Sequence, residues 1–237
     1  MVFPFQSGEL KRRVLGLQPS EFEALALDVF RFQAAANPVY RQYLHNLRRD
    51  PACVTHYTQV PFLPIEFFKT QRVLSGTPAV VLSFESSKTT GQIPSRHFVA
   101  DPLFYETLSQ RLFEQRYGSL RGYTILALLP SYLERGTSSL VHMVRHFIEQ
   151  SGTPESGFFL NNTADLRQQL LKIRDQKPES RILLIGVTFA LLDLADSGDD
   201  WSFLGELPQL IVMETGGMKG RRRELLREEV HYILTQA

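Results

Sequence analysis

Arg181-Ile182-Leu183-Leu184-Ile185-Gly186 is an apolar run of strand length, and the stretch Phe189–Leu194 that follows it reads as a helix. A strand without polar alternation has to be covered on both faces, which is the situation of a parallel sheet carrying helices on each side. The same unit recurs outward in both directions. Tyr123–Leu129 is followed by a helical pattern over Ser138–Gln150, with Leu140, Val144, Phe147 and Ile148 on one face. Phe158–Leu160 precedes a helix over Ala164–Arg174, and Leu210–Met213 precedes one over Gly220–Leu234. Upstream, Ala79–Phe84 reads as a further strand of the set, and Asp101-Pro102 opens a helix running to Tyr117. Strand and helix in alternation predict an α/β fold, doubly wound around a mostly parallel sheet.

Residues 1–78 lack that alternation and predict a helical and extended segment packed on a core of residues 79–237. Ser20 and Glu23 have capping-box spacing ahead of Phe22, Leu25, Ala26, Val29 and Phe30. Asn37-Pro38 restarts the chain as a second helix reaching Arg49, since proline suits the first helical position. Pro61–Lys69 is extended, and apolar enough to be expected against another element.

A composition of 43% hydrophobic and 22% charged residues is that of a globular chain able to build a core. The formal net charge of +1 argues against nucleic-acid binding through a broad basic surface. No apolar run reaches the roughly 18 residues of a membrane span. No basic segment followed by a long apolar stretch marks a secretory signal near Met1-Val2-Phe3-Pro4-Phe5. The single cysteine, Cys53, cannot form an internal disulfide, fits a reducing cytoplasm and reads as a small buried hydrophobe.

Ligands of parallel α/β sheets bind beyond the carboxyl ends of the strands. That draws attention to Ser86–His97, Pro130–Thr137, Val187-Thr188-Phe189 and Glu214–Gly220, three of which are rich in Gly, Ser or Thr. The first places the four hydroxyls of Ser86, Ser87, Thr89 and Thr90 beside Gly91, a composition suited to wrapping phosphate. It lacks the G-x-x-x-x-G-K-[ST] frame of a Walker loop.

Four segments carry a family resemblance: Pro61-Phe62-Leu63-Pro64-Ile65 with Phe68-Lys69; Ser86–His97, including Gly91-x-x-Pro94-Ser95-Arg96-His97; Leu129-Pro130-Ser131-Tyr132-Leu133-Glu134-Arg135; and Glu214-Thr215-Gly216-Gly217. In this order they resemble the acyl-protein synthetase branch of the adenylate-forming ligases, the fatty-acid-activating component of bacterial luminescence systems and its relatives. The resemblance implies the large-domain fold of those ligases. It also implies a reaction in which a carboxylate, expected to be that of a fatty acid, attacks the α-phosphate of ATP. Pyrophosphate leaves, and the acyl group of the adenylate then passes to a thiol, either a protein cysteine or CoA. Ser86, Ser87, Thr89, Thr90 and Gly91 match the triphosphate-holding loop, and Ser95, Arg96 and His97 match its extension, where Arg96 would add a charge-assisted contact. Gly216 and Gly217 resemble the glycine pair lying along the adenine, and Tyr132 falls in a loop lining the acyl pocket.

Lys88 stands where the family has glycine. If the loop needs a positive φ there, lysine is strained; if it tolerates a side chain, the ammonium attracts phosphate. Lys88→Gly is expected to raise ATP affinity, and equal affinity of the two forms in a binding titration would exclude strain at this position. Complete members of the family continue into a Tyr-Gly-x-Thr-Glu motif whose Glu holds Mg2+, then a ribose-binding Asp and a C-terminal domain with a catalytic Lys. No match to these follows Gly220, so no catalytic residue or metal ligand is assigned. The resemblance accordingly implies an N-terminal portion of a longer enzyme, or a truncated homologue that binds nucleotide or an acyl-transfer partner without chemistry. A different nucleotide-binding α/β protein is the remaining reading, favoured if the Ser86 loop lies away from the strand ends.

Other candidates have plainer explanations. His142 and His146 have i, i+4 spacing, but residue 143 is Met and the pair lies off the apolar face. Arg221-Arg222-Arg223 alternates with glutamates as solvated helices do. Asp193, Asp196, Asp199 and Asp200 fit no calcium loop.

Overall fold

The structure, a computed structural model, describes residues 7–86, 93–130, 136–160, 162–218 and 220–236. They fall into two compact units, Met1–Arg111 and Leu112–Ala237. The expected division after residue 78 would have joined the Ser86 loop to the parallel sheet; here that loop's strands belong to the N-terminal unit.

The N-terminal unit begins with α1 (Ser7–Gly16), α2 (Phe22–Ala36) and α3 (Pro38–Asn46). Pro19 starts a 3-10 turn one step ahead of α2, and Glu21 rather than Glu23 folds back to accept from the Gln18 N–H at 3.1 Å. Glu23 instead meets His56 Nε2 at 3.2 Å. Pro38 opens α3 as expected, and Asn37 caps it, its Oδ1 accepting from the N–H groups of Val39 (3.1 Å) and Tyr40 (3.2 Å). The helix ends at Asn46, short of Arg49, because Arg48 turns to φ 53°. Leu27, Phe30, Ala34, Tyr40, Leu44 and Val54 form a small buried core. Val54 takes the place expected for Cys53, which is exposed at the end of a Pro51–Cys53 turn. In the extended segment Leu63 packs on this core while Phe62 and Ile65 are 76% and 66% exposed. The segment leads into the short α4 (Phe67–Thr70).

Tyr40 joins the helices to the extended segment, its hydroxyl donating to the Pro61 carbonyl at 2.8 Å. Burial, followed by the charge of nearby Tyr43, pushes its phenol up to about 12. The native state therefore favours the protonated ring. Its contribution is intact below pH ~10, the ordinary tyrosine value, and is lost as the pH rises toward the folded value. An ultraviolet phenolate titration is expected to show a late-titrating component that disappears in Tyr40→Phe, with a stability loss of about 1 kcal/mol in urea.

The unit continues into β1 (Leu82–Glu85) and β2 (Arg96–Val99), which pair antiparallel as a separate two-stranded sheet. This corrects the expectation that Ala79–Phe84 belongs to the parallel set. After Asp101, α5 (Pro102–Tyr117) begins as read. Asp101 Oδ1 accepts from the Phe104 N–H at 3.1 Å, and its Oδ2 meets Lys11 Nζ at 2.6 Å. The Lys11 hydrogen bond is the main reason this carboxyl lies below its ordinary range.

The C-terminal unit follows the alternating pattern: β3 (Tyr123–Leu128), α6 (Ser139–Ser151), β4 (Gly157–Phe159), α7 (Thr163–Gln176), β5 (Arg181–Val187), α8 (Thr188–Ala195), β6 (Leu210–Thr215) and α9 (Arg227–Gln236). The four strands form a parallel sheet in the order β4-β3-β5-β6, flanked by helices. All of β3 and nearly all of β5 are buried, the reason their sequences carry no polar alternation. Phe113, Phe147, Leu166 and Leu170 from the helices complete the main core with them. Ser138 caps α6 through the Val141 N–H. The last helix starts at Arg227, later than the expected Gly220, which sits at φ 70°. Among the described residues no helix is long and apolar enough to cross a membrane.

Candidate functional site

The expected site residues divide between the two units. Ser86, Ser95, Arg96 and His97 lie on the N-terminal hairpin, and Gly216 and Gly217 follow β6 in the C-terminal unit. Ser87, Lys88, Thr89, Thr90, Gly91 and Tyr132 lie outside the described residues.

On the hairpin, the antiparallel register brings Ser86 and Ser95 together. The Ser86 N–H donates to the Ser95 carbonyl and the Ser95 N–H donates to Ser86 Oγ, each at 3.0 Å. Arg96 stands opposite Glu85, and its Nε meets Glu85 Oε1 at 3.1 Å. Such an exposed pair is weak, so Arg96 can exchange Glu85 for a stronger anion at small cost. The imidazole of His97 stacks on Phe68, ring centres 6.0 Å apart. Partial burial lowers its pKa, so the neutral ring is favoured and it contributes an N–H donor rather than a cation.

In the C-terminal unit, β5 passes into α8 with no intervening loop, so the expected Val187-Thr188-Phe189 loop is the end of a strand and the first turn of a helix. The register sets Gly186 opposite Glu214 and Val187 opposite Thr215. Thr188, buried at the start of α8, thereby reaches across the strand ends and donates its hydroxyl to Glu214 Oε1. A carboxylate has about four lone-pair positions, so this bond orients Glu214 and leaves it able to accept from a ligand. Beyond Thr215 the chain turns through Gly216 at φ 99°, a conformation that side-chain-bearing residues rarely adopt. A Cβ there would sit 3.7 Å from Val187 Cγ1, which is ordinary contact, so the backbone angle rather than crowding requires glycine.

These residues floor a cleft of about 370 Å³ at the carboxyl ends of β5 and β6. Glu224, Leu225 and Arg227, the last opening α9, supply its other wall. No family model and no curated protein matches the chain. The chemistry of the cleft therefore has to be read from its own groups: Glu214 and Glu224 as acceptors, Arg227 as a cation, and the open backbone at Gly216-Gly217.

The remaining polar clusters have structural partners. Arg222 donates to Asp193 from Nε (3.0 Å) and to Asp196 from Nη1 (2.5 Å), tying the segment before α9 to α8. Those two hydrogen bonds raise the Arg222 pKa further. Arg221 lies over the Phe189 ring at 4.6 Å, and Asp200 accepts from the Ser202 N–H and hydroxyl. Among the described residues no group of three or more His, Cys, Asp or Glu side chains could hold a metal ion.

Glu214 and Gly216-Gly217 stand in one of the four loops singled out in the sequence. The role of Thr188 was not readable there, because it depends on the register of β5 against β6. Arg227 was hidden for a similar reason, since it opens a helix whose start was expected seven residues earlier.

Proposed function

We propose that the cleft at the ends of β5 and β6 holds the nucleoside end of ATP, and that the chain is the nucleotide-holding part of an enzyme that activates a carboxylic acid as its acyl-adenylate. The observation supporting this reading is the cleft's combination of an oriented carboxylate with open glycine backbone at a strand terminus. Two glutamates against the single Arg227 leave the cleft acidic, which disfavours a triphosphate at this spot. They suit ligand N–H and O–H donors, as on an adenine amino group or a ribose. The glycine turn lets a flat ring approach the main chain. In the reaction, a carboxylate oxygen bonds to the α-phosphorus as the bond to the β-phosphate oxygen breaks and pyrophosphate leaves; thiolate attack on the acyl carbon then releases AMP.

Two measurements test this. Isothermal titration with ATP and adenosine is expected to show competition for one site, and failure of both to bind rejects the nucleotide assignment. ATP–pyrophosphate exchange with a panel of fatty and aryl acids tests the chemistry. Nucleotide binding without exchange would make the chain a binding module.

A further inference from the structure

The N-terminal unit contains a second cavity with the opposite character. It has a volume of about 440 Å³ and lies between α2, the start of α3 and the segment from Tyr57 to Val73. Close-packed interiors leave few voids larger than a water molecule, whereas small-molecule pockets run from about 300 to 1,000 Å³. A space of this size is therefore a pocket rather than a packing fault.

Its walls define what it can hold. No Asp, Glu, Lys, Arg or His lines it. Two of its polar side chains are turned to the backbone: Asn37 caps α3 and Tyr40 donates to the Pro61 carbonyl. Ala26, Val29, Phe30 and Val73 supply apolar surface instead. Gln33 and Tyr57 are the remaining polar side chains of the lining. At the solvent boundary stand Phe22, Tyr57 and Phe62, which are 48%, 39% and 76% exposed. Phe22 and Tyr57 meet edge to face at 5.4 Å, and Glu23 and His56 pair beside them at 3.2 Å. The rings thus form a hydrophobic rim with polar groups just outside it.

We propose that this cavity binds the apolar part of a small amphiphile, an alkyl chain or an aromatic ring system, with the polar end left at the rim in water. Every residue involved lies in Met1–Arg111, so the assignment stands or falls independently of nucleotide binding in the C-terminal unit.

The test uses the full chain with 13C-labelled Leu and Val methyl groups, without nucleotide, titrated with 1-decanol and separately with 2-naphthalenemethanol. At least one alcohol is expected to give saturable shifts at Val29, Val60, Leu63 and Val73, while the methyls of Leu126 and Val144 in the C-terminal core stay still. The alcohol that saturates identifies the ligand as alkyl or aryl. Ala26→Phe, which fills the cavity from α2, is expected to weaken binding at least tenfold with the C-terminal methyl spectrum unchanged. If that variant does not fold, Val73→Phe fills the space from the other wall and is read in the same way. Absence of saturable shifts with both alcohols overturns the proposal, as does undiminished binding in a folded cavity-filling variant.

Discussion

Gly186→Ala is expected to destabilise the C-terminal unit by about 1–3 kcal/mol, the range of overpacking in a tight core. Gly186 lies in the buried strand β5, between Leu128 of β3 and Glu214 of β6. A Cβ at this position would stand 2.7 Å from Leu191 Cγ and 2.8 Å from its Cδ2. The contact is so close because α8 begins immediately after β5, and its first turn drops Leu191 back onto the strand. Leu191→Ala alone is expected to cost about 2–5 kcal/mol, as buried leucine truncations do. The double variant should be less destabilised than the sum of the two, because the new methyl enters the space that Leu191 vacates. Coupling between such neighbours is about 0.5–3 kcal/mol. Thermal or urea unfolding of the four proteins measures it, and strict additivity would mean that the strand-to-helix junction relaxes freely.

The second large effect concerns the cleft. Gly216→Val is expected to weaken ATP and adenosine binding by tenfold or more. A β-branched residue held at φ 99° carries roughly 1–3 kcal/mol of backbone strain, which the loop relieves by moving away from the geometry that floors the site. Glu214→Gln keeps the shape of the side chain but removes its charge. A hydrogen bond to a charged group contributes about 1.5–3 kcal/mol, so a ligand donor resting on Glu214 loses roughly one to two orders of magnitude in affinity. Thr188→Val acts one step removed, freeing the Glu214 carboxylate without deleting it, and should cost less than either. Titration calorimetry with adenosine reads all three. Unchanged affinity in both Gly216→Val and Glu214→Gln would place the nucleoside elsewhere.

The parallel sheet was legible because its strands are written as apolar runs, which the burial of β3 and β5 requires and which the partly exposed edge strand β6 shares. The hairpin was not. Its second strand, Arg96-His97-Phe98-Val99, is charged and exposed at one end and buried only at Val99, so no period marks it as a strand. Without that partner, Ala79–Phe84 looked like one more parallel strand. At the ends of helices, proline and glycine moved the boundaries: Pro19 drew the chain into a turn before α2, and Gly220 held off α9. The glycine pair after β6 was legible as a turn, and Gly216 takes it at φ 99°. Glu214 acquired its orientation from Thr188, a relation between the start of α8 and the end of β6 that no local pattern encodes.

The strand order has a consequence for how the chain can be divided. Chain order runs β3, β4, β5, β6, yet β5 lies beside β3 in space, on the side away from β4. The two central strands are thus joined by a segment that leaves the middle of the sheet and comes back, and six residue pairs from Tyr123↔Arg181 to Leu128↔Gly186 close the circuit. A cut anywhere between Leu128 and Arg181 separates these two strands onto different pieces and bares an apolar edge on both. The smallest autonomous piece of the C-terminal unit therefore spans at least Tyr123–Thr215, and shorter pieces should reassociate with one another or aggregate instead of folding alone.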